Sequence, residues 1–156
     1  FYKFYLSTTD KKWGSSYLMR SFFTWLGERM GHQVILIVVE DAGHLVAGAL
    51  NFKSDDTLYG RNWGCLANYK FLHFEACYYK AIDYAIEHGL KRVEAGAQGP
   101  HKIQRGYLPS YTYSAHWINH PGLKGAIEDF LAQERLGIEV EMRDFKQHSP
   151  FKNTEN

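Results

Sequence analysis

Residues 34–65 read VILIVVEDAGHLVAGALNFKSDDTLYGRNWGC and predict a series of short strands. The first, Val34 to Val39, is rich in β-branched residues and too short for a good helix, a pattern typical of a buried strand. Turn residues Asp41 to His44 separate it from a second strand, Leu45 to Lys53. Another short turn precedes a third strand, Thr57 to Cys65. Strands joined by such tight turns predict an antiparallel meander.

Helices are predicted on the N-terminal side of this meander. The chain begins at Phe1 rather than Met, within a stretch that predicts a helix, so we expect the sequence to be a fragment, a processed product or part of a longer protein. Ser15 and Ser16 are predicted to cap a second helix, whose apolar residues have helical spacing and which Gly31 ends.

A helix and a strand are predicted directly after the meander. From Phe74 the apolar residues recur at helical spacing, and Gly89 has the position of a left-handed helix cap. Lys91 to Gly96 then predicts a short strand. Because a strand, a helix and a strand in this order form a crossover unit, we expect the third and fourth strands to be parallel neighbours.

The last third of the chain predicts a loop, a strand and a long helix. Residues 97–109 are punctuated by Gly and Pro and predict a loop with one helical turn. Tyr111 to Ile118 predicts a final strand, and Pro121 begins a helix with one long apolar stripe that Gly137 weakens in its middle. The prediction is one α/β (α+β) domain over residues 1–156, with a mixed sheet, a central crossover helix and a long C-terminal helix.

Composition excludes several classes of protein. The 156 residues are 45% hydrophobic and carry a net charge of +1, which favours a folded globular domain over disorder or nucleic-acid binding through a basic surface. No apolar stretch is long enough to span a bilayer, and no signal peptide is evident. Two cysteines and the spacing of the histidines predict neither a disulfide framework nor a metal site, so we expect a cytoplasmic protein without a bound metal.

Three longer motifs carry a resemblance to a known family. They are LYGRNWG at residues 58–64, LHFEACYY at residues 72–79 and EAGAQGPHK at residues 94–102. With the ending from Glu134 to Phe151 they resemble the bacterial FemAB-like proteins of peptidoglycan biosynthesis or recognition, within the GNAT acyltransferase superfamily. The resemblance covers essentially the whole chain.

The resemblance implies a GNAT-like domain that corresponds to the C-terminal half of longer members with two such halves. It implies acyl or aminoacyl transfer to an amine, with acyl-CoA or aminoacyl-tRNA as donor and a cell-wall precursor or peptide as acceptor. GNAT proteins that use acetyl-CoA carry Arg/Gln-x-x-Gly-x-Gly/Ala before the central helix, where backbone N–H groups hold the pyrophosphate. Residues 65–72 of this chain read CLANYKFL, without glycine, which argues against acetyl-CoA.

The third strand and the following helix supply candidate substrate-binding residues. Because strand side chains alternate, Tyr59, Arg61 and Trp63 are predicted to share one face and to line a groove for a phosphate or carboxylate. The alternative is a solvent-facing strand with ordinary cross-strand pairs. His73 and Glu75 lie at the start of the central helix, where an acidic residue also favours the helix dipole without any function. Cys77, one turn after His73, allows a Cys–His nucleophile, although a small buried cysteine is common in cores.

The segment from Glu94 to Arg105 is the richest in candidate catalytic groups. Glu94 or His101 is a candidate base, Lys102 is a candidate catalytic cation, and Gln98 and Arg105 are candidate substrate ligands. Fem enzymes have a comparable lysine in a Phe-Lys pair, and here the pair is His101-Lys102. The alternative is a polar surface loop. His116, on the predicted final strand, is assigned to the same cleft, although a core or surface histidine fits equally.

Two other functions fit the same residues. The domain could recognise a cell-wall precursor or peptide without catalysis, or it could be a scaffold whose missing half carries the chemistry. In the scaffold case we expect an exposed apolar patch, a homodimer or an N-terminal GNAT-like partner half.

Overall fold

The meander forms as predicted in the computed structural model, which describes residues 1–11, 15–96 and 99–151. Strands β1 (Val34–Asp41), β2 (His44–Lys53) and β3 (Thr57–Cys65) pair antiparallel in chain order. Strand β4 (Arg92–Glu94) pairs with β3 in the parallel direction, which confirms the predicted crossover and the mixed sheet.

Strand β1 is an edge strand rather than a strand buried on both faces. Leu36 and Val38 remain 42% and 46% exposed, so the prediction of a buried first strand is wrong in this respect. Its apolar run is the pattern of a central strand, but only one side of β1 has a strand neighbour among the described residues. The central position belongs to β2, where Ala47, Ala49 and Leu50 are buried.

Two helices precede the sheet. Helix α1 covers Tyr2–Lys11, and helix α2 covers Arg20–Met30 with Met19 as its N-cap in extended conformation. The helix therefore starts after the predicted Ser15-Ser16 cap. Gly31 is right-handed, with φ of −53°, because the chain continues into a 3₁₀ turn at Gly31–Gln33 instead of reversing there.

Residues 72–87 form one continuous helical segment, which we call the central helix. It consists of α3 (Leu72–Phe74), a π-helical turn (Glu75–Tyr79) and α4 (Lys80–Glu87). Gly89 follows in the left-handed conformation, with φ of +66°, as the sequence predicts.

The two faces of the sheet carry different helices. Gly48 and Gly64 are paired residues of β2 and β3, and α1 lies against them so closely that a side chain at Gly64 would overlap the backbone of Phe4. Thr8 of α1 also donates a hydrogen bond of 2.6 Å to the carbonyl of Trp63. Trp63 directly precedes Gly64, so its ring lies on the opposite face of the sheet. There it lies 5.6 Å from the His73 ring of the central helix.

A polar cluster holds the short strand β4 beside β3. Arg92 donates to Thr57 Oγ1 at 3.1 Å and to Asp56 Oδ2 at 3.0 Å, and Thr57 donates to Asp56 Oδ1 at 2.7 Å. The Thr57 hydrogen bond and then the Arg92 hydrogen bond lower the pKa of the Asp56 carboxyl below its ordinary value. The cluster compensates for a ladder of only three paired residues.

The chain divides into two compact units, Phe1–Ala97 and Gln98–Asn156. The second contains a 3₁₀ helix at Pro100–Arg105, the predicted helical turn, and helix α5 at Pro121–Gln147. Helix α5 begins with Pro121 as predicted, with the His120 ring accepting a hydrogen bond from the Leu123 amide, and its assignment runs unbroken through Gly137. That the whole chain is one domain and the C-terminal half of a longer protein stays a prediction.

The predicted final strand at residues 111–118 is wrong. Residues 107–120 contain neither helix nor strand, and Tyr113 and Trp117 are each 90% exposed. The alternating aromatic residues have high strand propensity, but a strand also requires a partner for its backbone groups. Within the described ranges, no helix is both long and apolar enough to cross a membrane.

Candidate functional site

The start of the central helix is shaped by its π-helical turn. Phe71, just before it, adopts a left-handed conformation with φ of +66°, and its carbonyl accepts from the amides of Phe74 and Glu75. The wider turn that follows brings residues five positions apart toward one face. The rings of His73 and Tyr78 consequently meet edge to face at 5.4 Å.

Strand β3 contains a bulge opposite this turn. Asn62 pairs with Leu50 and Gly60 pairs with Asn51, so Arg61 is one extra residue inserted between two consecutive pairs. The Arg61 side chain is exposed and its guanidinium donates to the Tyr17 hydroxyl at 3.1 Å.

The bulge overturns the predicted common face of Tyr59, Arg61 and Trp63. Trp63 pairs with Ala49 and Tyr59 pairs with Phe52, and these partners lie three positions apart on β2. Because paired residues share a face and the side chains of β2 alternate there, Tyr59 and Trp63 point to opposite faces of the sheet. The inserted residue reverses the alternation that the sequence alone suggested.

A small cavity lies between the sheet and the central helix, within the first unit. Its volume is about 110 Å³, which is room for a few non-hydrogen atoms of a ligand and far less than a whole precursor. Its polar or aromatic lining residues come from β2, from β3 and from the first turns of the central helix: Asn51, Arg61, Asn62, Trp63, His73, Cys77 and Tyr78.

The structure therefore brings together three predicted substrate-binding residues, namely Arg61, Trp63 and His73. The His73 imidazole lies among aromatic rings, at 5.6 Å from Trp63, 5.5 Å from Phe74 and 5.4 Å from Tyr78. Such packing fixes the orientation of the ring, which a general base requires.

Cys77 lines the same cavity, but its thiol is poorly suited to be a nucleophile. Burial raises the pKa of Cys77 to about 12, because the apolar surroundings penalise the thiolate. The thiolate is the reactive form of cysteine, so at neutral pH the Cys77 side chain is a neutral thiol. This geometry argues against the Cys–His nucleophile and favours a packing role.

Tyr59, Glu75 and Glu94 are predicted site residues that lie in the first unit but not on this cavity. Glu75 is exposed within the π-helical turn. Glu94 is the last residue of β4, and its side chain is exposed. Its backbone carbonyl lies close to Gly60, where an added Cβ would be 3.4 Å from the carbonyl oxygen. The next residue, Ala95, does line the cavity.

Three predicted site residues, the candidate base His101 and the cations Lys102 and Arg105, lie on the 3₁₀ helix of the second unit. Arg105 donates to the backbone carbonyl of His101 at 2.6 Å, and the His101 ring lies against Gly99. Partial burial lowers the pKa of the Lys102 ammonium. The sequence also predicted that these residues share a cleft with Arg61 and Glu94, which belong to the first unit. That arrangement stays a prediction.

The remaining predicted residues are placed differently. His116 is exposed in the irregular segment before α5, where its ring lies 2.9 Å from Ser114 Oγ. Gln98 lies outside the described residues. Within the described residues no group of three or more His, Cys, Asp or Glu side chains is arranged to hold a metal.

Asn51, Asn62 and Tyr78 also line the cavity but were not predicted from the sequence as site residues. Asn51 is only 1% exposed on β2, and an asparagine within the apolar run from Val46 to Phe52 was the available signal. Tyr78 could not be found from helical spacing, because its place beside His73 depends on the π-helical turn.

A comparison with protein families matches residues 1–153 to the FemAB_like family, which is described as peptidoglycan biosynthesis/recognition. No curated protein sequence and no solved structure is found to match the chain.

Proposed function

We propose that this chain, which belongs to the FemAB-like family of peptidoglycan biosynthesis and recognition, transfers an acyl or aminoacyl group to an amine of a peptidoglycan precursor or peptide. The family match supports the cell-wall context. The observation that carries the proposed chemistry is the cavity, a space of about 110 Å³ whose lining residues include Asn51, Arg61 and His73.

The size of the cavity limits what enters it. A space of this volume accommodates a terminal amine with its neighbouring carbons, so the rest of the acceptor has to lie outside it. Arg61 is exposed at the bulge on β3 and is suited to bind a phosphate or carboxylate of that outer part. The Trp63 ring offers an apolar wall to the carbons next to the amine.

The transfer needs a base, because an ammonium ion is not a nucleophile. In the proposed reaction His73 removes a proton from the amine, the nitrogen attacks the donor carbonyl, and a C–N bond forms. The C–O bond of an aminoacyl ester, or the C–S bond of an acyl-CoA, breaks, and the leaving group takes up a proton. Glu94, His101 and Lys102 remain proposed catalytic groups, with Gln98, Arg105 and His116 as proposed substrate ligands.

The donor is proposed to be aminoacyl-tRNA rather than acetyl-CoA. Residues 65–72, which precede the central helix, lack the glycines of a pyrophosphate loop, and Phe71 occupies the left-handed position with a full side chain. A bulky residue there hinders the close backbone approach that a pyrophosphate requires.

Recognition without catalysis is the second candidate function. The close packing of His73 against three aromatic rings favours it, because the same contacts would hold a structural histidine in place. A recognition domain would bind the precursor through Arg61 and Trp63 and transfer nothing to it.

The test incubates the protein with a nucleotide-linked peptidoglycan precursor and charged tRNA, and measures the acylated product by mass spectrometry. We expect His73→Gln to lower kcat by about 100-fold and Arg61→Ala mainly to raise KM. Arg29→Ala, which removes an exposed guanidinium that does not line the cavity, should change neither. Binding of the precursor with no product from any donor would favour the recognition function, and an active His73→Gln would exclude His73 as the base.

A further inference from the structure

Asn51 is a polar side chain buried in the sheet, with both amide hydrogens engaged. It is 1% exposed, and its Nδ2 donates to the carbonyl of Ile35 at 3.3 Å and to the carbonyl of Ala49 at 3.2 Å. A side-chain amide has two N–H donors, so these bonds use the donor capacity completely. They also fix the orientation of the amide, because an exchange of its N and O atoms would place the oxygen against two carbonyls.

The carbonyl oxygen of Asn51 is therefore turned away from β1 and toward Gly60. A Cβ placed on Gly60 would lie 3.7 Å from Asn51 Oδ1, and both residues line the cavity. The two hydrogen bonds that the structure gives Asn51 are both donated by Nδ2. Oδ1 is therefore left to accept a hydrogen bond from a group that enters the cavity.

We propose that Asn51 Oδ1 is the specificity-determining acceptor that binds an N–H of the substrate amine. The assignment rests on the proposed function and adds the group that selects the acceptor. An amide oxygen accepts a hydrogen bond but carries no charge, so it orients an amine without stabilising its ammonium form as a carboxylate would. The nitrogen then remains able to lose a proton to the base.

Gly60 is part of this arrangement, because the absence of its side chain leaves space in front of Oδ1. A methyl group there would make ordinary contacts with the Glu94 carbonyl at 3.4 Å and with Ala95 Cα at 3.8 Å. Gly60→Ala should thus cover the acceptor with little disturbance of the fold. Gly31→Ala is the matched control, since a Cβ at Gly31 meets nothing within 4 Å.

The experiment measures binding of two peptides by calorimetry, one with a lysine side chain and one with norleucine, which lacks the amine. We expect the wild type to bind the lysine peptide at least about tenfold more tightly than the norleucine peptide. The Gly60→Ala protein should bind the two peptides with about equal affinity. Gly31→Ala should keep the wild-type preference.

The outcomes separate the two proposals. A wild type that binds both peptides equally, or a Gly60→Ala protein that keeps the full preference, overturns the assignment of Asn51 and leaves the cell-wall function intact. A wild type that binds neither these peptides nor the nucleotide-linked precursor overturns the proposed function itself.

Discussion

The side chains of Cys77 and His73 show how burial changes the chemistry of neighbouring residues. Both line the cavity and lie one helical turn apart. Burial raises the pKa of the Cys77 thiol to about 12, whereas the His73 ring packs against aromatic rings. A nucleophilic thiol needs a nearby positive charge or a helix N-terminus that stabilises the thiolate. Burial of Cys77 acts in the opposite direction, because desolvation penalises the thiolate.

The raised pKa of Cys77 predicts a specific dependence of stability on pH. Above about pH 9 the unfolded chain loses the thiol proton, whereas the folded protein keeps it until about pH 12. Rising pH therefore favours the unfolded state, and the free energy of unfolding should fall by about 1.4 kcal/mol per pH unit in this window. Urea unfolding of the wild type and of Cys77→Ala measures this contribution as the difference between their pH profiles. Parallel profiles would contradict the burial of the thiol.

The residues around the cavity show what the sequence could and could not predict about the site. Arg61, Trp63 and His73 were predicted from residue type and position, and all three line one cavity. Their common face with Tyr59 was wrong, because alternation holds only until a residue is inserted in the ladder. A bulge depends on the pairing of two strands, which the sequence of one strand does not contain.

The packing of α1 on the sheet depends on two glycines that face each other across β2 and β3. Gly64 allows the backbone of Phe4 to approach the strand. Gly48 leaves room for the Phe4 ring, because a Cβ added to Gly48 would lie only 3.0 Å from that ring. The approach is closer than two elements with side chains would allow.

Gly64→Ala is therefore expected to lower the free energy of unfolding by about 3 kcal/mol, because the added methyl group overlaps backbone atoms that cannot move aside as a side chain would. Thermal or urea unfolding measures the change. Gly137→Ala is the control within a helix: no atom lies within 4 Å of its Cβ, and the better helix propensity should raise stability by about 0.5–1 kcal/mol. Equal stability of the wild type and Gly64→Ala would show that α1 does not pack on β3 in this way.

The helices and strands were predicted with unequal success for physical reasons. The meander and the long helix α5 follow from local signals, namely turn residues, β-branched runs and a proline at the helix start. The strand predicted at 111–118 rested on the same propensities and is wrong, because no neighbouring strand pairs with it. The π-helical turn has no sequence signal that we recognise.

The two units differ in how much apolar surface they bury. Within the described residues, the buried side chains of the first unit come from α1, α2, the sheet and the central helix, whereas those of the second are Ile103 and Met142. Several large residues of α5, including Phe130, Leu136 and Val140, are at least 60% exposed. The resemblance of the motifs predicted the family correctly, but the division into units depends on contacts that motifs do not encode.

This difference predicts unequal protection from hydrogen exchange. Amides of β2 and β3 should exchange only with global unfolding, because the core of the first unit holds their ladder together. Amides in the middle of α5 should exchange at a free energy lower by at least about 2 kcal/mol. Native-state exchange with mass spectrometry provides the measurement, and equal protection of α5 and the sheet would contradict it.

The bulge at Arg61 has a consequence for how such a gene can change. Since Arg61 is one extra residue between Gly60 and Asn62, the loss of its codon would restore a regular ladder and leave every other residue of β3 on its present face. A codon gained or lost elsewhere in the strand would exchange the two faces for all residues beyond it. Insertion or deletion of one codon can therefore add or remove Arg61 beside the cavity, while the other residues of β3 keep their faces of the sheet.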